Sequence, residues 1–198
     1  MTATDRSRMT LTTVTTDPAP SLDDDQAATV LVYALHTPAG VTVPVAAAAL
    51  GRPAQWVHAQ LDAVLISVQT LGPDLRSGHT RYQAAGPIVS DVSLLAGALL
   101  ALAEHDWAQG EYQDDLGRVD ITGALRLAAG VHPEEEMPGD PRVLDALLTA
   151  EDRLACELGY DPALVDAGDT IAAWQDHPAR TLDEVRALLL DVAIGAGR

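Results

Sequence analysis

The sequence predicts a mainly α-helical protein with small β elements, divided into two parts that differ in charge. Three observations carry this reading. Apolar residues recur at helical spacing through most of residues 21–192. Short β-branched runs near 41–43, 66–71 and 80–83 stand between glycine and proline signals. The net charge is −17, and it is lopsided: −3 over residues 1–25, +1 over 26–86 and −15 over 87–198.

A chain of 198 residues, 47% hydrophobic and 21% charged, suits one medium globular domain or two small ones. All twelve basic residues are arginine, and phenylalanine is absent. The lone Cys156 excludes an internal disulfide and fits a cytoplasmic protein. On a leucine- and alanine-rich helix it is expected to be a small core residue. The longest apolar run, Leu94–Ala103, is too short to span a bilayer and reads as a buried helix. The first residues show no basic segment followed by an apolar stretch, so neither a signal peptide nor a membrane association is expected.

Residues 1–20 are rich in Thr, Ser and Pro without apolar periodicity and read as a disordered tail, whose Arg6 and Arg8 stand apart from the rest. The first helix is expected from a Ser21 cap, with Asp23, Asp24 and Asp25 complementing the helix dipole. That explanation of the acidic run is preferred to a metal site. Val30, Leu31, Ala34 and Leu35 share its apolar face, and Thr37-Pro38-Ala39-Gly40 stops it. A short strand (Val41–Val43) precedes a helix from Pro44 to Leu50. Gly51 ends that helix. Arg52-Pro53 opens the next, with Val57, Leu61 and Val64 facing the core. Ile66–Leu71 and Thr80–Gln83 read as strands flanking the turn-rich 72–78.

Gly86-Pro87 is the expected domain boundary. Beyond it come an apolar helix (92–104), a β-hairpin over 110–121 with its turn at Gly117, and a short helix (124–129). An acidic loop (131–140) leads to Asp140-Pro141, a cap and first-turn proline that open a long helix with Val143, Leu144, Leu147, Leu148, Leu154, Ala155 and Leu158 on its apolar face. Thr181 and Glu184 form a capping box for a last helix built on Leu182, Val185, Leu188, Leu189 and Val192.

The order helix, strand, helix, helix, strand, loop, strand over residues 22–86, and above all the stretch Ala49-Leu50-Gly51-Arg52-Pro53-Ala54-Gln55-Trp56-Val57-His58-Ala59-Gln60-Leu61, resembles the winged helix-turn-helix family. Thr80-Arg81-Tyr82 is similar to its returning wing strand. The resemblance implies a third helix that reaches the major groove and wing arginines that reach phosphate or the minor groove. Carried onto this chain, the nucleic-acid-binding candidates are Arg52, Gln55, Trp56, His58, Arg76 and Arg81. Bases are usually read by arginine, lysine, asparagine or glutamine; of these the third helix offers Gln55 and Gln60, beside a histidine, Ala59 and the acidic Asp62. Trp56 is open to two readings, packing inside the protein or anchoring a partner. His58 is accounted for as a solvated residue.

Residues 94–193 resemble a domain family of unknown function found in actinobacteria and their phages. The matching blocks are Trp107-Ala108-Gln109-Gly110 through Gly117-Arg118-Val119, Gly123–Gly130, and Trp174-Gln175-Asp176-His177-Pro178-Ala179-Arg180-Thr181. Ala179 stands where the family has glycine, and Asp120 where it commonly has cysteine. Turn and cap chemistry explains the last block: Asp176 as an acceptor, Thr181 as a cap, Arg180 paired with Asp176 or a hairpin acid, and Trp174 covering the core.

No phosphate loop, nucleophile elbow or paired metal ligands stand in the sequence. His132 beside Glu134-Glu135-Glu136, and His105 beside Asp106, read as surface residues. The expectation is a non-enzymatic protein without cofactor or metal. It would be a winged-helix, DNA-binding regulator, acting as a dimer. The alternative is a protein-interaction or dimerisation module that no longer reads DNA, an acidic partner or DNA mimic. Its partner would be DNA, another protein or a second copy.

Overall fold

The computed structural model describes residues 22–64, 68–134 and 137–195. The tail, Ser21 and Ile66, all featured in the sequence reading, lie outside them, as do Glu135 and Glu136. Eight helices and a three-stranded antiparallel sheet make up the described residues: α1 (Asp24–Leu35), β1 (Val41–Thr42), α2 (Val43–Leu50), α3 (Ala54–Ala63), β2 (Val68–Pro73), β3 (Thr80–Ala84), α4 (Asp91–His105), α5 (Ile121–Ala128), α6 (Pro141–Glu157), α7 (Ala167–Gln175) and α8 (Leu182–Gly195). None is long and apolar enough to cross a membrane.

Local chemistry sets most boundaries. The cap of α1 is Asp23, not Ser21: its carboxylate accepts from the Gln26 amide at 2.8 Å, and Gln26 Oε1 accepts from the Asp23 amide at 3.0 Å. Gly51 closes α2 in the left-handed conformation, φ +62°, which costs glycine nothing. Strand β3 is central in the sheet, between β1 and β2. Val41 opposes Tyr82, and Thr70 opposes Tyr82 from the other side, before a bulge near Gly72.

Two hydrophobic clusters share one helix. Leu31, Leu35, Leu50 and Val57 gather around Ala96, Leu99 and Leu100 of α4. Leu94, Leu95 and Leu102 of the same helix pack with Ile121, Leu125, Leu147, Leu154 and Leu189. A helix buried on all sides must be apolar all round, and this explains the run Leu94–Ala103.

Two further expectations are corrected, and one helix is an addition. The 110–121 hairpin is a loop: Gly117 does close a turn on Asp114, but only single bridges join Val119 to Trp107 and to Gln113. The Asp114 carboxylate takes the Leu116 and Arg118 amides, and this holds the segment in a turn. Cys156 is exposed. The buried face of α6 runs through Ala150, Leu154 and Ala155, and Cys156 lies one residue, about 100° of helix, past it. Finally, α7 was not foreseen. Asp166 caps it by accepting from the Asp169 amide at 2.9 Å.

Candidate functional site

The third helix carries Gln55, His58, Ala59 and Asp62 at steps of three, one and three, and all four are exposed. This outer face presents no arginine. Trp56 is half-buried against the N-terminal cluster, with the Arg52 guanidinium 5.9 Å from its ring centre.

Each arginine proposed for nucleic acid is bonded to this chain itself. Arg52 donates to the Leu22 carbonyl at 2.6 Å and pairs with Asp24 at 3.0 Å. Arg81 bridges Asp74 and Glu104 of α4, the latter at 3.2 Å, and donates to the Ala39 carbonyl at 3.1 Å. Arg76, at the turn between β2 and β3, donates to His105 Nδ1 at 2.9 Å. The β2–β3 hairpin is thus fastened to the last turn of α4. Burial alone would raise the Asp74 carboxyl, but donors from Ser77 and Arg81 hold it well below the ordinary carboxylate range. His105 is shifted down, by burial first and, against the attraction of Glu104, by Arg76. The shift favours the neutral ring, which can accept from Arg76.

In the second half the two sequence blocks meet. Gln109 donates to the carbonyls of Gln175 (2.6 Å) and His177 (3.1 Å), and the Gly110 amide donates to Asp176 at 2.8 Å. Gln175 is fully buried; it accepts from the Ile121 amide at 2.9 Å and donates to Asp120 at 2.8 Å. Asp120 also caps α5, accepting from the Gly123 amide at 2.6 Å. A Cβ at Gly123 would overlap the Tyr112 carbonyl, so the loop and α5 approach only through glycine. Arg180 pairs with neither Asp176 nor the 110–121 loop. It stacks 3.8 Å from the Trp174 ring centre and pairs with Glu184 at 2.9 Å, while Thr181 and Glu184 exchange cap hydrogen bonds. Trp174 packs on the C-terminal cluster. Thr181 and Glu184 are bonded locally at the helix start, whereas Gln175 and Asp176 are bonded to distant residues of the 109–121 segment.

A carboxylate of α6 lies outside this bonding. Glu151 of α6 is 7% exposed, and it accepts no hydrogen bond from any described residue. It lines a cavity of about 430 Å³ between α5, α6 and the start of α7. The sequence reading missed it, although Glu151 sits on the Leu147–Leu154 stripe, where a carboxylate is out of place. His132 meets only the Glu134 amide, and no cluster of three metal-ligating side chains exists among the described residues.

A mainly helical protein with internally consumed cations and an acidic second half is the class these features define. The chain belongs to a family of unknown function (DUF6197), whose model matches residues 88–194. No curated protein and no solved structure matches it.

Proposed function

We propose that this is a non-enzymatic binding protein whose residues 22–86 form a winged helix-turn-helix unit adapted to protein contact, and whose partner is a basic protein. The carrying observation is that Arg52, Arg76 and Arg81 all bond to groups of the chain, leaving an outer face on α3 without a cation. Phosphate contact dominates affinity for DNA, and tight binders neutralise about six to ten phosphates. Freeing these arginines would break Arg81's part-buried bridge to Asp74 and Glu104. The −15 carried by residues 87–198 suits a positively charged partner and raises the encounter rate with one.

The element order and the strand order β1-β3-β2 support the winged-helix reading itself, and with it the second function, a dimeric DNA-binding regulator. One pair of titrations separates the two. Labelled duplex DNA and a labelled arginine-rich peptide are each titrated with the full chain at low salt. The expected result is peptide binding that weakens with salt, and no retention of DNA at micromolar protein. DNA binding that falls steeply with salt, without peptide binding, overturns the proposal.

A further inference from the structure

The cavity between α5, α6 and the first turn of α7 is lined by Glu151, a residue 7% exposed whose carboxylate accepts no hydrogen bond from any described residue. A buried carboxylate costs several kcal/mol unless donors or a cation compensate it. Asp120, the cap of α5, accepts one hydrogen bond on each carboxylate oxygen; Glu151 accepts none, and no described cation stands within ion-pairing distance of it. Arg126 lines the same cavity but forms no ion pair with Glu151: it donates through one terminal nitrogen to the Pro133 carbonyl at 2.7 Å and lies 4.3 Å from the ring centre of Tyr112, another wall residue, while its Nε is buried without a partner. Asp152 and Asp166 add two more carboxylates to the wall, so acids outnumber the single arginine three to one. The rest of the wall is mixed, Tyr112 and Thr122 standing beside Met137, Leu148 and Val165, three large hydrophobic side chains that are exposed. A cavity of about 430 Å³ is in the size range of small-ligand sites.

We propose that this cavity binds the cationic end of an apolar-stemmed ligand, an alkyl guanidinium or alkyl ammonium, with Glu151 receiving the charge and Leu148 and Val165 covering the stem. The same chemistry is available from a free amine or from an arginine or lysine side chain of a partner. The second source rests on the basic-partner reading above; the first does not.

The site has a pH signature. Burial raises the Glu151 carboxyl to about 7; Arg126 opposes this, while Asp166, Asp152 and Asp120 reinforce it. A cation prefers the ionised form, so binding expels a proton, and affinity rises about tenfold from pH 6 to pH 8.

The test is calorimetric titration of the full chain with agmatine and, separately, with an arginine-rich peptide. Agmatine is expected to bind at pH 8 and about tenfold more weakly at pH 6. Glu151→Gln, nearly isosteric, should weaken it at least tenfold at pH 8 and abolish the pH dependence. Leu148→Trp, at a 45% exposed position on the wall, should block entry without touching the acid. Absence of binding at about 10 mM agmatine, or binding that Glu151→Gln leaves unchanged in a variant folded by circular dichroism, overturns the proposal. If agmatine binds and the peptide does not, the cavity serves a free amine and the basic-partner reading fails alone. If the peptide binds wild type and Glu151→Gln equally while agmatine is lost, the peptide docks elsewhere and the cavity still takes a free cation.

Discussion

Asp120 and Glu151 are both buried carboxylates in the acidic half, and both are shifted toward the protonated form by burial. Their surroundings differ. Asp120 accepts from a helix-start amide and from Gln175, which in turn accepts from Ile121, so each carboxylate oxygen and both ends of the Gln175 amide have a partner. Glu151 faces a cavity and accepts nothing from the described residues. A satisfied buried acid is an architectural joint. An unsatisfied one stores a cost that a ligand can remove.

The sharpest way to break this comparison is to remove each acid. Asp120→Ala takes away a helix cap and strands the Gln175 amide in the interior, so it should destabilise the protein by roughly 4 kcal/mol, read from urea unfolding. Little change would mean that water replaces the carboxylate and the joint is not architectural. Glu151→Gln should act in the opposite direction, and only at higher pH. An acid whose folded pKa is raised binds more protons folded than unfolded, so its contribution to stability falls as pH rises from its ordinary value of 4.5 through about 7. The variant should therefore gain up to roughly 3 kcal/mol over wild type at pH 8 and almost nothing at pH 4. Equal stability of both proteins at pH 8 would show that Glu151 is compensated after all.

The same contrast explains what was legible in the sequence. The Asp140-Pro141 start, the Thr181–Glu184 box and the Gly51 stop depend on neighbours within a few residues, and the chain states them locally. Asp120 and Gln175 are 55 positions apart, and no local rule pairs them. The hairpin reading of 110–121 rested on a turn at Gly117; that turn forms, but the Asp114 carboxylate captures the Leu116 and Arg118 amides and no strands extend from it. Glu151 was visible as an acid on a leucine stripe; that it lacks a partner was visible only in three dimensions.

A second pair of regions gives smaller effects. Glu104 anchors the β2–β3 hairpin through Arg81, which is part-buried and retains Asp74 when Glu104 is removed. Glu104→Ala should cost about 1 kcal/mol in urea unfolding and should speed hydrogen exchange in β3 more than in α6. Uniform acceleration across both elements would indicate a global loss rather than undocking.

The smallest effect expected is a loosening of the hairpin turn in mild acid. Arg76 can only donate, so its 2.9 Å contact requires His105 Nδ1 to be unprotonated. The Gly117 carbonyl lies 3.3 Å from the same nitrogen. Protonation would turn Nδ1 into a donor toward Gly117 and set two cations face to face, displacing Arg76. The His105 pKa is depressed in the folded protein, so the folded state binds fewer protons than the unfolded chain. The stability this contact contributes is present above the ordinary histidine value of 6.5 and is lost as pH falls through the lower, folded one. Amide exchange at residues 75–79, corrected for intrinsic rates, should rise in wild type as pH falls below the ordinary histidine value and stay level in His105→Gln. If both proteins loosen alike, the acid sensitivity lies with Asp74 and its donors, and the hairpin is held from its own turn rather than from α4.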